Sequence, residues 1–135
     1  MRLSVKKSGR GLVVLLAASL MWASASPVHA EDFDSFCAEW MGKLAVREQQ
    51  NLKKMEYAPQ GGRVVGSYKG YDKVPIRCQS RAKAGSPGVG TLVYNEVHYQ
   101  KVGPTVEGAK TSSPQVLEKV EVMEIFRYDG KKWKY

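Results

Sequence analysis

Residues 32–57 read DFDSFCAEWMGKLAVREQQNLKKMEY, and their apolar side chains recur at intervals of three and four residues. This interval places them on one stripe of an α-helix, the pattern of a helix that packs on a core. Acidic residues at the start and lysines near the end suit the helix dipole, and Pro59 with the glycines after it ends the element. The stripe consists of Phe33, Phe36, Cys37, Trp40, Met41, Leu44, Leu52 and Met55.

Beyond the helix the apolar period changes to two, which is typical of β-strands. Strands are predicted at 63–71, 74–83, 89–102 and 115–128, and a short one begins at 131. The first two are predicted to form a hairpin around Asp72 and Lys73, and Asp129-Gly130 is a turn signal. Segments 84–88 and 103–114, rich in Gly, Pro and Ser, are predicted to be loops.

This order predicts an α+β fold with one N-terminal amphipathic helix packed on a curved antiparallel sheet of four or five strands. It is similar to the cystatin-like and NTF2-like architecture, in which a long helix lies in the palm of a bent sheet. Cystatins carry a Gln-x-Val-x-Gly loop, whereas Gln100-Lys101-Val102-Gly103 is one residue short of it. NTF2-like domains bring more helices before the sheet. The resemblance therefore implies the architecture and no inherited activity.

The first thirty residues have the composition of a Sec-type signal peptide. A cationic start is followed by an uncharged, largely apolar run over 11–25, short for a membrane-spanning helix, and by Val28-His29-Ala30. We expect cleavage after Ala30, with Ala25 as an earlier site and an uncleaved N-terminal anchor as the alternative. The net charge of +8 then falls to +4, from 17 basic and 13 acidic residues in a single domain over 31–135. The expected location is the periplasm or the exterior, with no integral membrane segment after cleavage.

The chain has two cysteines, Cys37 and Cys78. In an oxidising compartment an even count indicates a disulfide, and two cysteines allow one pairing. A redox or haem role is disfavoured because neither C-x-x-C nor C-x-x-C-H occurs. Cys78 shares the apolar face of its predicted strand, which would point it toward the helix that carries Cys37.

Catalytic and metal-binding patterns are sparse in the sequence. The domain has one histidine, His98, so one chain cannot assemble a His–His or His–Cys metal pair, and no cofactor or metal is expected. His98 shares a predicted strand face with Tyr94 and Glu96, which leaves a minor enzymatic role open. The alternative for these three residues is a solvated outer strand face.

The two long strands carry apolar residues on both faces. In 89–102 the set Val89, Thr91, Val93, Asn95, Val97 and Tyr99 is predicted to be buried. In 115–128 the buried set is predicted to be Val116, Val120, Val122, Phe126 and Tyr128. One helix covers one side of a sheet, so the reverse-face residues are the candidates for contact with a partner or a second copy. They are Leu92, Tyr94, Leu117, Met123 and Ile125.

Two further sets complete the candidates. Asn95 and Glu124 fall among apolar positions of the two long strands. With Trp40 they are candidates for a small-ligand pocket between helix and sheet. Alternatively, Asn95 and Glu124 lie at the open rim of the sheet. Arg77, Arg81 and Lys83 share one strand face and are candidates for weak contact with an anionic surface, or they keep a sheet edge from associating. Nucleic acid is not an expected partner.

These observations favour an exported, disulfide-stabilised, non-catalytic binding module. It would act by protein–protein contact in the cell envelope or outside the cell, as an accessory subunit or as an inhibitor or immunity-type protein. Besides the reverse face, segment 103–114 is a candidate contact surface. The alternatives are a small-ligand carrier and the minor enzyme built on His98, Tyr94 and Glu96.

Overall fold

The computed structural model describes residues 32–81 and 88–135; the predicted signal peptide and most of the predicted loop 84–88 lie outside them. Helix α1 spans Phe33–Lys53 and buries four side chains of the predicted stripe, Phe33, Cys37, Met41 and Leu44. It ends before residue 57 because Tyr57–Gln60 forms strand β1. Gly61 and Gly62, both with positive φ, make the two-residue turn that pairs β1 with the next strand.

The other strands are β2 Arg63–Tyr71, β3 Arg77–Arg81, β4 Val89–Gly103, β5 Gln115–Tyr128 and β6 Trp133–Lys134. Together with β1 they form one antiparallel sheet in the order β1-β2-β4-β5-β6, with β3 beside β4. The sheet is curved and α1 packs on it, which confirms the predicted α+β architecture.

The predicted hairpin between 63–71 and 74–83 is wrong. Strands β2 and β3 both pair with β4, along its second and first parts respectively. Backbone hydrogen bonds from Asp72 to Asn95 (3.0 Å) and from Ile76 to Val93 (2.7 Å) hold the connecting segment against β4. Pro75, which has no N–H, lies in this segment and breaks the pairing.

Segment 103–114 is not a loop throughout, since it contains helix α2, Val106–Thr111. The Thr105 side chain caps α2 by accepting a hydrogen bond from the Gly108 N–H (3.0 Å). Ala109 is fully buried, and a Cβ on Gly103 would overlap its backbone. The segment is therefore docked on the end of β4.

The predicted faces of the long strands need correction. Leu92 and Tyr94, expected on the uncovered side, lie in the core beneath α1, while Val93 and Val97 on the other side of β4 are buried as well. Because apolar side chains are buried on both faces of β4, alternation alone does not show which face α1 covers. In β5, Phe126 is buried and Val122 packs on the core, but Val116 and Val120 are exposed.

The Cys37–Cys78 disulfide joins α1 to β3 and confirms the predicted pairing, with the two Cα atoms 6.4 Å apart. Its surroundings are aromatic: Phe33 contacts Trp133 (ring centroids 4.5 Å apart), and Phe36 contacts Phe126 (4.7 Å). The short strand β6 thereby closes the end of the core on which the start of α1 lies. Strand β5 extends from this end well beyond β6.

Candidate functional site

A polar pair lies on the inner face of the sheet, which is the face that α1 covers. The Tyr94 hydroxyl donates a 3.0 Å hydrogen bond to Glu124 Oε1. Burial, and secondarily the hydrogen bond to Glu124, raise the pKa of Tyr94 well above its usual range. The Trp40 ring stacks on Tyr135 at 6.1 Å, and a hydrogen bond to Glu124 raises the pKa of Tyr135. Trp40 and Glu124, two of the predicted pocket residues, thus lie in one aromatic and carboxylate cluster.

Asn95, the third predicted pocket residue, belongs to a different cluster. Its side-chain amide donates to Asp72 Oδ2 (2.9 Å), and Lys119 Nζ lies 3.1 Å from the same oxygen. These hydrogen bonds, from Asn95 first and then Lys119, lower the pKa of Asp72. The structure therefore does not bring Asn95 together with Trp40 and Glu124.

His98 lies between two carboxylates. Its Nε2 is 2.9 Å from Glu96 Oε1 and its Nδ1 is 3.4 Å from Glu118 Oε2, while Lys69 Nζ is 3.2 Å from Glu96 Oε1. The hydrogen bond from His98 is the main cause that lowers the pKa of Glu96. Tyr94 bonds Glu124 instead, so the predicted trio does not form one cluster. Within 32–81 and 88–135, no group of three or more His, Cys, Asp or Glu side chains is placed to hold a metal ion.

The side of the sheet away from α1, which we call the outer face, carries aligned rows of side chains across β3, β4 and β5. Met123 and Ile125 lie opposite Val93 and Thr91 of β4, and these in turn lie opposite residues of β3. Met123 and Ile125 are 55% and 57% exposed, and Leu117, further along β5, is 57% exposed. Three of the five predicted contact residues are therefore surface apolar groups.

Met123 and Ile125 form an apolar strip on the outer face, and basic side chains border it. Arg77 and Arg81 of β3 are exposed and lie at the ends of the rows that pass through Val93 and Val89, and Arg127 of β5 lies opposite Val89. The two β3 arginines line a shallow depression of about 250 Å³ on the outer face. Lys83, the third predicted anion contact, lies outside the described residues.

Strand β5 also has an open edge, by which we mean its side opposite β4 from Gln115 to Phe126. Strand β6 pairs with β5 only at Arg127 and Tyr128, and no other described strand lies along the remaining length. Residues 115–121 are all exposed. An unpaired strand edge presents backbone donors and acceptors that another strand can bind.

The backbone hydrogen bonds show which β5 residues face this open edge. Tyr128 N–H donates to Gly88 O of the β4 side (2.8 Å), whereas Asp129 N–H donates to Lys132 O on the β6 side (3.0 Å). Bonding direction alternates along an antiparallel strand, so the odd-numbered residues from Lys119 to Ile125 direct their N–H and C=O groups outward. A register shift at His98/Tyr99 leaves Leu117 as the extra residue of a bulge.

A cleft of about 560 Å³ lies between α1 and the segment that follows β2. Its walls are largely apolar, with Cys37–Cys78 at one end and with acidic groups of Asp34, Glu48 and Asp72. Glu48 is already engaged, since its Oε2 accepts a 3.0 Å hydrogen bond from the Tyr71 N–H. None of Trp40, Asn95 and Glu124 lines this cleft.

Neither the cleft nor the open edge was predicted from the sequence. The charged residues spread over both faces of 115–125 were a signal for an edge strand, because natural edge strands often carry charged side chains. The cleft had no comparable signal, since it depends on how the segment 72–76 crosses from β2 to β3.

Comparison with protein-family models, with curated proteins and with solved structures finds no match to this chain. In the part of the chain that the structure describes, no helix is long and apolar enough to cross a membrane.

Proposed function

We propose that this protein is an exported, disulfide-stabilised, non-catalytic binding module that acts by protein–protein contact. Its partner would be an envelope or extracellular protein, which it serves as an accessory subunit or blocks as an inhibitor or immunity-type protein. The observation that carries the proposal is the apolar strip of the outer face, in which Met123 and Ile125 are each more than half exposed. Exposed apolar groups beside one another usually mark a contact surface.

The arginines beside this strip would form a polar rim around it. Protein interfaces combine an apolar centre with a polar rim in which arginine is enriched. Arg77 and Arg81 lie on β3, across β4 from the strip, and Arg127 lies two residues beyond Ile125 on β5. This arrangement favours a partner whose contact patch is apolar at the centre and acidic around it, and it accounts for the predicted weak contact with anionic surfaces.

The Cys37–Cys78 disulfide supports the export part of the proposal, because such bonds persist in oxidising compartments. The test is the mass of the protein recovered from the cell envelope or the medium. We expect a chain that begins at Glu31 and has no free thiol. Retention of residues 1–30 or two alkylatable thiols would contradict export with cleavage.

The contact surface is tested by site-specific photo-crosslinking in intact cells. A photoreactive residue at Ile125 should give an adduct with one discrete protein, since it lies within the strip. The matched control is Val46, equally exposed at 59% on α1, which should give none. Arg77→Glu, together with Arg81→Glu, should weaken the Ile125 adduct. Equal labelling from both positions would contradict an outer-face contact.

The second candidate function is a small-ligand carrier, which the 560 Å³ cleft favours. A carrier would be purified with a small molecule that native mass spectrometry detects. Ala38→Trp, in the cleft wall, should then displace that molecule, whereas Val46→Trp, also on α1 but not in the wall, should retain it. A ligand-free protein would leave the protein–protein proposal as the better one.

A further inference from the structure

The open edge of β5 can accept one more antiparallel strand, and we propose that the strand is β5 of a second copy of this chain. The contact is symmetric, with Val120 opposite Val120 of the other copy and the two sheets joined into one. The inference rests on the proposed function only in that the joined outer faces would form a single, larger contact surface.

The position of β6 limits where the second strand can lie. The open edge runs from Gln115 to Phe126, and its midpoint falls at residues 120 and 121. With Val120 at the two-fold axis, Glu118 of one copy lies opposite Val122 of the other, so the regularly paired part of the added strand stays clear of β6. An axis at Val122 would set Glu118 opposite Phe126 and would carry the preceding residues of the second copy toward Arg127 and Tyr128, where β6 already lies.

Charge selects the same register. Residues that face each other in such a pair point to the same side of the sheet, so the axis passes through one residue. Axes at Glu118, Lys119 or Glu121 would set each of these side chains against its own copy, and like charges directly opposite are destabilising. The axis at Val120 instead sets Lys119 opposite Glu121 twice, so that opposite charges face each other.

The backbone permits this pairing. Lys119 and Glu121 direct their N–H and C=O groups to the open edge, so each Lys119–Glu121 pair can exchange two backbone hydrogen bonds. Val120 directs its own toward β4, which makes the Val120 pair a non-hydrogen-bonded pair with Cα atoms about 4.5 Å apart. The bulge at Leu117 bends the strand and ends the regular pairing there.

A cysteine at the axis tests the register directly. Cα atoms at that spacing suit a disulfide, so purified, oxidised Val120→Cys should form a covalent dimer. The matched control is Val116→Cys, on the same strand and more exposed, whose two copies would stand about 26 Å apart. The control should stay monomeric on a non-reducing gel. Equal cross-linking of both variants, or of neither, would overturn the proposed register.

A charge swap tests the pairing without new cysteines. Glu121→Lys sets lysine against lysine, and Lys119→Glu sets glutamate against glutamate, so sedimentation equilibrium should show each variant as a monomer and wild type at twice the monomer mass. Mixed together, the two variants should form a heterodimer, because opposite charges face each other again. Lys119→Glu also loses the ion pair with Asp72, but both residues are partly exposed and the fold should persist.

The two proposals fail separately. A wild type that remains monomeric at its highest soluble concentration overturns the β5 dimer, while an Ile125 adduct with a different protein would still support the proposed function. An adduct of twice the chain mass at Ile125, absent from Glu121→Lys, supports the dimer. Single variants that dimerise as well as wild type would overturn it even if some other dimer exists.

Discussion

The Tyr94 hydroxyl and Glu124 Oε1 are joined by a 3.0 Å hydrogen bond across β4 and β5, on the face that α1 covers. Tyr94 is only 4% exposed, and its ring meets that of Tyr71 edge-on at 6.0 Å. The phenol can remain buried because it keeps its proton and has an acceptor, whereas an ionised phenolate beside the carboxylate would be both desolvated and repelled.

The folded protein is therefore expected to lose stability in alkali through Tyr94. Its pKa is raised in the folded state, so the folded chain keeps the proton above the ordinary pKa of 10 while the unfolded chain releases it. The contribution is complete below pH 10 and is lost as the pH rises beyond it. In urea titrations, Tyr94→Phe should show a shallower decline of the unfolding free energy above pH 10 than wild type.

The control for this effect is Glu124→Gln, which keeps an acceptor and removes the charge. Its decline above pH 10 should lie between those of wild type and Tyr94→Phe. Tyr68 and Tyr99, whose pKa values burial also raises, leave a residual slope in every variant. A Tyr94→Phe slope equal to that of wild type would remove Tyr94 as the cause.

Local sequence patterns predicted most elements of this fold. The three-four stripe of α1 and the Asp129-Gly130 turn depend on nearby residues alone; Gly130 has φ of +97°, and Asp129 Oδ1 accepts the N–H groups of Lys131 and Lys132. Strand pairing is different, because β2 and β3 both bind β4 through contacts distant in the sequence. An alternating pattern in 63–83 is compatible with that pairing and with a hairpin alike.

The candidate surfaces were predicted only in part, for a related reason. Met123 and Ile125 alternate with core residues of a strand that α1 covers at one end, so their exposure follows from period two. Leu92 and Tyr94 belong to the central strand β4, in which both faces bury apolar residues and alternation does not say which face the helix covers. How much of the free edge of β5 stays open depends on the length of β6, and no pattern within β5 encodes that length.

The two faces of β5 should differ sharply in their effect on stability. Phe126 is fully buried and contacts Phe36 and Trp40, so Phe126→Ala should lower the unfolding free energy by about 3–5 kcal/mol. Its neighbour Ile125 is 57% exposed, so Ile125→Ser should change it by no more than about 0.5 kcal/mol. Both values come from urea unfolding; a large loss for Ile125→Ser would contradict the outer position of that side chain.

The disulfide should contribute a large part of the stability. Cys37 and Cys78 are 41 residues apart in the sequence, and cross-linking a loop of this length stabilises by about 2–4 kcal/mol, mainly by restricting the unfolded chain. Cys37→Ala combined with Cys78→Ala should lower the unfolding free energy by that amount. Wild type in reducing agent is the control and should behave alike. A midpoint unchanged by reduction would show that the bond contributes nothing.

Two glycines provide opposite tests of how closely α1 approaches the sheet. A Cβ at Gly42, in the middle of α1, would meet no atom within 4 Å, so Gly42→Ala should raise the unfolding free energy by about 0.5–1 kcal/mol through the loss of backbone freedom in the unfolded chain. A Cβ at Gly90 of β4 would overlap the ring of Phe33, so Gly90→Ala should lower it by about 1–3 kcal/mol.

The two substitutions add the same methyl group, so chemical composition cannot account for opposite signs in their unfolding free energies. Neither glycine has a positive φ, which removes backbone strain as a cause. The close approach of Phe33 to β4 remains, and Phe33→Leu, with a smaller side chain, should recover part of the loss in Gly90→Ala. Equal effects at Gly42 and Gly90 would mean that the start of α1 does not lie against β4 as described.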